Sequence, residues 1–204
     1  MKKTVITIAR QYGSGGRYIG ELIAKELGVP FYDQNLITLA AKKSDLCHEA
    51  AVEADERNAS SLLYTLAMGS TAMLHSPHYN MPINDKLFLA QSETIKEAAE
   101  KGSAVIVGRC ADYVLRDNPN TLNIFIHADT DLRAQHVAQR NGITEIEAVT
   151  LISKTDRRRA NYYNFYTGKR WGEVTNYDLC IDAGKLGAEN AAKLIVDLAK
   201  KLES

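Results

Sequence analysis

Cysteine is scarce in this 204-residue chain, and the three present, Cys47, Cys110 and Cys180, are odd in number and far apart. That argues against a disulfide framework or a C-x-x-C metal site and fits buried thiols in a reducing compartment. A surplus of either charge is also missing, since 25 Lys plus Arg balance 25 Asp plus Glu. No general electrostatic pull toward nucleic acid or membrane follows, and any recognition of an anion must be local. No apolar run is long enough to span a bilayer, and the run that follows Lys2 and Lys3 is broken at Arg10, too early for a secretory signal. These absences lead to the expectation of a soluble, cytoplasmic protein without nucleic-acid or membrane partners. Proline is rare, and two of the four residues fall in the break HSPHYNMPIN. His75 and His78 lie in that break, but no third ligand of the right kind stands near them, so no metal centre is expected there. What is present is a 45% hydrophobic content, enough for a single domain with one sizeable core and a small inserted region.

The opening stretch VITIARQYGSGGRYIGELIAKELG carries the strongest pattern. Val5, Ile6 and Ile8 form a short β-branched run, Gly13, Ser14, Gly15 and Gly16 turn the chain, and Ile19, Leu22, Ile23 and Leu27 recur at helical spacing. A strand, a glycine-rich turn and a helix in that order build a phosphate cradle, because glycines let backbone N–H groups approach an anion and the helix N-terminus adds positive potential. Laid on the G-x-x-x-x-G-K-[ST] pattern, however, Arg10 replaces the leading glycine, Gly16 takes the lysine position, and Arg17 and Tyr18 follow. Arg17, one residue late, is a candidate for the missing charge, and Arg10 at the strand exit can reach over the same cradle. Ser14 is the one hydroxyl within the turn itself, a weak candidate for magnesium. The alternative is a turn that merely packs a helix on a strand.

Strands and helices then alternate. VPFYD at 29–33 reads as a strand ending on Asp33, which either serves a substrate or magnesium-linked role or caps the next helix, NLITLAAKKSDL. From about 34 to 101 the pattern is mainly helical and reads as an insertion. SAVIVGR at 103–109 and TLNIFIHA at 121–128 are further buried strands, so the connections are crossovers and the sheet is parallel. Arg109 ends the first of these, placed to grip a phosphate with its planar fork. His127 ends the second, where a hydrogen-bonded strand-end role suffices.

A second cationic centre lies in ISKTDRRRANYYNFYTGKRWGEVTNYDLCIDA, with Arg133 and Arg140 on the helix before it. Helical spacing puts Lys154 and Arg158 on one face, where two cations can stabilise a transferring phosphoryl group. Tyr162, Tyr163, Phe165, Tyr166 and Trp171 offer a stacking surface for a base, packing for a flap, or a partner interface. Basic residues among aromatics also suit RNA, but the zero net charge weighs against it.

ITIARQYGSGGRYIG, FYDQNLI, VIVGRCADYVL, IFIHADTDLRAQHV and TDRRRANYYNFYTGKRWGEVTNYDLCID together resemble the cytidylate kinase-like proteins, relatives of the nucleoside monophosphate kinases. The resemblance covers nearly the whole chain. It implies a P-loop α/β fold with a central parallel sheet, an inserted acceptor-binding region at about 34–101 and a lid at about 150–175. It implies ATP and Mg²⁺ as cofactors, a small-molecule nucleotide as partner, and phosphoryl transfer to a nucleoside monophosphate, with CMP or dCMP favoured. Residues Gly13 to Arg17 would hold the ATP phosphates, and Asp33 and Arg109 would lean toward the acceptor. Arg158 matches an arginine of the lid, Asp182 an aspartate after the last strand, and Arg133 would sit on the helix leading to the lid. Cytidylate kinases keep the loop lysine that is absent here. An inert nucleotide-binding regulatory protein and a kinase for another small acceptor therefore remain alternatives, and a homo-oligomer stays open.

Overall fold

The computed structural model describes residues 3–33 and 83–203. His75, His78, Cys47 and most of the expected inserted region lie outside them. In chain order the described elements are β1 (Val5–Arg10), α1 (Gly16–Leu27), β2 (Phe31–Tyr32), α2 (Ile83–Lys101), β3 (Ala104–Val107), α3 (Ala111–Val114) and β4 (Thr121–His127). They continue with α4 (Thr130–Asn141), α5 (Glu145–Thr167), a 3₁₀ turn (Val174–Asn176), β5 (Leu179–Asp182), α6 (Ala183–Leu186) and α7 (Ala188–Glu203).

The five strands form one parallel sheet in the order β2-β3-β1-β4-β5. Strand period two sends alternate side chains to opposite faces, and both faces are apolar, as a doubly covered parallel sheet requires. Ile6 and Ile8 of β1, Val105 and Val107 of β3, and Ile124 and Ile126 of β4 pack with Ile19 and Ile23 of α1 and with Ile195 and Val196 of α7. On the opposite face Val5, Ala104 and Ile106 meet Ile95 and Ala99 of α2 and Val114 of α3. Each fully buried isoleucine of this kind stabilises the fold by about 1.5–3 kcal/mol. The tail of the expected inserted region, Ile83–Lys101, is thus a core-facing layer helix. A smaller cluster of Ala134, Val137, Ala148 and Ile152 fastens α4 to α5 beside the sheet.

Most of the segment expected as a lid, about 150–175, falls on α5. Thr144 and Glu147 form a capping box at the start of α5, and the helix runs unbroken for 23 residues to its Gly168 cap. Its aromatic residues are packed internally: Phe88 of α2 stacks on Tyr166 with ring centroids 4.0 Å apart, and the Tyr162 and Tyr166 hydroxyls donate to Gln91 and Asp85. Trp171 meets Phe125 edge-on.

The close approach of α1 to the sheet depends on Gly20. A Cβ there would lie 3.0 Å from both Phe31 and Val107 and 3.2 Å from Ile8. Gly20→Leu is expected to push α1 off the sheet and destabilise the protein by about 1–3 kcal/mol, measured as a shift in the urea-unfolding midpoint against the wild type.

Candidate functional site

The chain visits β2 and β3 on one side of β1 before it crosses to β4 and β5 on the other, so a crevice opens beyond the carboxyl end of β1. In open α/β sheets that switch point is where ligands sit. The segment from Arg10 to Gly16 occupies it, and its carbonyls are taken up one after another. Arg159 Nη1 donates to the Arg10 carbonyl at 3.0 Å, Ser14 Oγ to that of Gln11 at 2.9 Å, and Arg133 Nη1 to that of Tyr12 at 3.2 Å. His136 Nδ1 lies 3.2 Å from the Gly13 carbonyl oxygen, which as an acceptor pairs with it when Nδ1 carries a proton. The Ile19 N–H finds the Gly15 carbonyl at 2.9 Å, and the amides ahead of it at the start of α1 have no helical acceptor, which makes them donors for an anion. Gly13, at φ +83°, allows this course, because a Cβ on it would lie 2.9 Å from the Arg133 carbonyl oxygen.

An ion pair braces the loop from behind. Asp156 of α5 accepts the Tyr12 N–H at 2.7 Å and pairs with Arg133 of α4 at 2.6 Å, with the two side chains only 17% and 8% exposed. Both backbone polar groups of Tyr12 are therefore held by a single ion pair. The Tyr12 ring lies under two guanidinium groups, those of Arg140 at 5.0 Å and Arg159 at 5.4 Å.

In front of the loop is a cleft of about 1030 Å³. Arg10, Arg17, Arg109, Arg140, Arg158 and Arg159 line it together with His136, and Asp33 is the one carboxylate among its described lining residues. In a chain of zero net charge this concentrates positive potential on one crevice. Arg17 points along the rim, its guanidinium 2.6 Å from Asp33 and 2.6 Å from Glu21, with the side chain 57% exposed. Arg109 is carried to the cleft by three consecutive left-handed residues, Gly108, Arg109 and Cys110, at φ 81°, 59° and 55°. For the two non-glycine residues that conformation costs about 1 kcal/mol or more each, a cost that persists only where the surroundings enforce it. A side chamber of about 50 Å³ opens off the cleft between Arg109, Asp112, Tyr163 and Trp171. The Tyr163 hydroxyl donates to Asp112 there at 2.6 Å. Burial pushes the Asp112 carboxyl above its ordinary range, offset in part by that hydrogen bond, and burial followed by the nearby Asp112 charge pushes the Tyr163 phenol up as well.

Arg10, Gly13, Ser14, Gly15, Gly16, Arg17, Tyr18, Asp33, Arg109 and Arg158 all line the cleft. Three expected site residues do not. Lys154 is exposed and lies outside the lining, on the half of α5 whose Ala148 and Ile152 pack against α4. Arg133 is buried in its pair with Asp156 and braces the loop. Asp182 caps α6 by accepting the Gly184 and Lys185 N–H groups at 3.0 and 3.3 Å. Sequence reasoning did not assign Arg140, Arg159 or His136. The two arginines stood out within the basic segments, but helical spacing alone did not select them over Lys154.

A model of the cytidylate kinase-like family matches residues 5–185. The chain belongs to the cytidylate kinase-like family. Among curated relatives it is 33% identical over 100 residues to a cytidylate kinase of Pyrococcus horikoshii, covering 48% of this chain and 50% of that protein. It is 28% identical over 108 residues to the cytidylate kinase of Methanopyrus kandleri, covering 49% of this chain and 56% of that one. The chain thus spans about half the length of the curated relatives it matches. The crystal structure of an uncharacterized protein from Eubacterium ventriosum is 29% identical, with a TM-score of 0.72 over 97% of this chain and 99% of that one. A shikimate kinase from Bacteroides thetaiotaomicron, at 15% identity and TM-score 0.57 over 98% of this chain and 99% of that one, shares the fold. The P-loop α/β architecture of this family member is established on that basis.

Asp112 gives a pH test of the side chamber. Its carboxyl binds a proton more readily in the folded than in the unfolded chain, where the ordinary value is 3.8. Folding therefore takes up a proton in the window above 3.8, and stability falls as pH rises through it. Asp112→Asn is expected to flatten that part of the stability-against-pH curve, read by thermal melts from pH 4 to 8, with the largest gain over the wild type at the upper end.

Proposed function

We propose that this member of the family transfers the γ-phosphoryl group of ATP to a nucleoside monophosphate, with CMP or dCMP as the favoured acceptor. The observation that carries the reading is a glycine-rich loop and Arg10, Arg109, Arg158 and Arg159 sharing one cleft at the switch point of a parallel sheet. Amide donors at the start of α1 hold the donor phosphates. Arg158 and Arg109 gather the transferring group and the acceptor phosphate, whose oxygen is already ionised and needs no general base. The bond from the γ-phosphorus to the β,γ-bridging oxygen breaks, a bond to the acceptor oxygen forms, and ADP leaves with the electron pair of the broken bond. Fixed guanidinium groups suit such a loose transition state, since its charge is spread over peripheral oxygens.

No group of three or more His, Cys, Asp or Glu side chains able to hold a metal ion occurs among the described residues. Ser14, 4% exposed, directs its hydroxyl to the Gln11 and Ile126 carbonyls at 2.9 and 3.3 Å. A dedicated cation cage does not fit these residues, whereas Mg²⁺ brought in on the nucleotide and ligated by phosphate and water does. That ion would neutralise donor-phosphate charge, and no protein ligand is assigned to it.

The test is ADP release in a coupled assay with ATP, Mg²⁺ and a panel of nucleoside monophosphates and non-nucleotide alcohols. Turnover is expected to be highest with CMP or dCMP, and Arg158→Ala is expected to lower kcat by about a thousandfold while leaving the melting temperature unchanged. ATP binding without turnover on any acceptor would instead select an inert nucleotide binder, and turnover on an alcohol alone would select a kinase of another substrate class.

A further inference from the structure

The lysine that the phosphate-loop pattern places on the outer phosphates is absent from position 16, and Arg17 beside it is drawn to Asp33 and Glu21 on the rim. The packing at position 16 shows where a cation stands instead. A Cβ on Gly16 would lie 2.6 Å from the Cβ of Arg10 and 3.0 Å from its Cγ, the first closer than real Cβ atoms approach and to the fixed base of a side chain. On this backbone the two positions do not both carry a side chain unless one of them shifts. The pattern has glycine at the first and lysine at the second; this chain has arginine at the first and glycine at the second.

We infer that positions 10 and 16 have exchanged glycine and cation, so that Arg10 is the phosphate-binding cation of the loop in place of a lysine on α1. This rests on the proposed phosphoryl-transfer reading and assigns within it a residue for the donor phosphates. The Arg10 stem crosses the face of Gly16 at the head of α1, and its guanidinium reaches Gly108 at the end of β3, where Nη1 stands in the place a Cβ on Gly108 would take. Arg10 lines both the cleft and its side chamber. Its backbone is held on the other side by the bond from Arg159 Nη1 to its carbonyl. A guanidinium launched from a core strand of the sheet is anchored more rigidly than one on the exposed rim, and its fork can bind two phosphate oxygens at once. Arg17 on this account shapes the rim with Asp33.

The test is an exchange of the two residues, read by ADP and inorganic pyrophosphate binding, by ADP release, and by thermal melts. Arg10→Ala is expected to weaken pyrophosphate and ADP binding tenfold or more and to lower kcat/KM by about a thousandfold at an unchanged melting temperature, with a smaller loss of both in Arg17→Ala. Gly16→Lys alone is expected to lower the melting temperature and weaken binding, because it collides with Arg10. The double variant Arg10→Gly/Gly16→Lys, which restores the lysine pattern, is expected to recover the melting temperature and to return binding to within about threefold of the wild type, a coupling that independent sites would not show. Wild-type affinity in Arg10→Ala, or additive losses in the double variant, would overturn the exchange while leaving the loop as a phosphate site. A wild-type protein that binds neither ADP nor pyrophosphate would overturn the phosphate-loop reading itself and the exchange with it.

Discussion

β1 pairs in parallel with β3 along one edge and with β4 along the other, and the cleft exists because the chain must leave such a strand where its two neighbours' onward connections diverge. The following helix, α1, packs Ile19 and Ile23 onto the sheet and so fixes where its N-terminal amides point. The turn between them has little freedom: it must reverse direction within the residues from Gln11 to Gly15, and its carbonyls need partners. Besides Ser14 within the turn, partners come from α4 and α5, helices distant in sequence, so the glycine-rich loop is braced by the same helix that carries Arg158 and Arg159 to the cleft.

That bracing changes how the basic segment is understood. A run of arginines suggests a mobile cationic arm, yet Asp156 is tied to Tyr12 and Arg133, Arg159 is tied to the Arg10 carbonyl, and the aromatic side of α5 is stacked on α2. Cations that are fixed in place before a ligand arrives need less reorganisation when charge moves toward them, the basis of electrostatic preorganisation. The left-handed run at Gly108–Cys110 belongs to the same economy, since it turns β3 away from the sheet and brings Arg109 beside Arg10.

The arginines also differ in what restrains them. Arg133 is buried in an ion pair whose loss would strand a charge in the interior, so it acts on the loop from behind. Arg17 is exposed and shared between two carboxylates, a solvent-screened arrangement worth little in stability. Arg10 is built into the end of the central strand and shaped by the glycine opposite it. Side-chain type is the same in all three, and burial and anchoring divide their roles.

Much of this was legible in the linear chain. The β-branched run at Val5–Ile8, the glycine cluster and the apolar helix positions determined a strand, turn and helix at the N-terminus, and the further apolar runs within 103–109 and 121–128 indicated a parallel α/β sheet, because period-two and period-3.6 patterns are local properties of the chain. The ordered motifs likewise sufficed to indicate the family that the match over residues 5–185 establishes. Tertiary structure alone decided which cations face the cleft. Helical spacing placed Lys154 with Arg158, but the packing of α5 on α4 leaves Lys154 outside and brings Arg159 and Arg140 in. Adjacency of Arg10 and Gly16, six residues apart in the chain, is likewise a product of the turn closing on itself. Spacing along a chain sets which residues can share a face, whereas which face meets the ligand depends on packing between elements that sequence does not bring together.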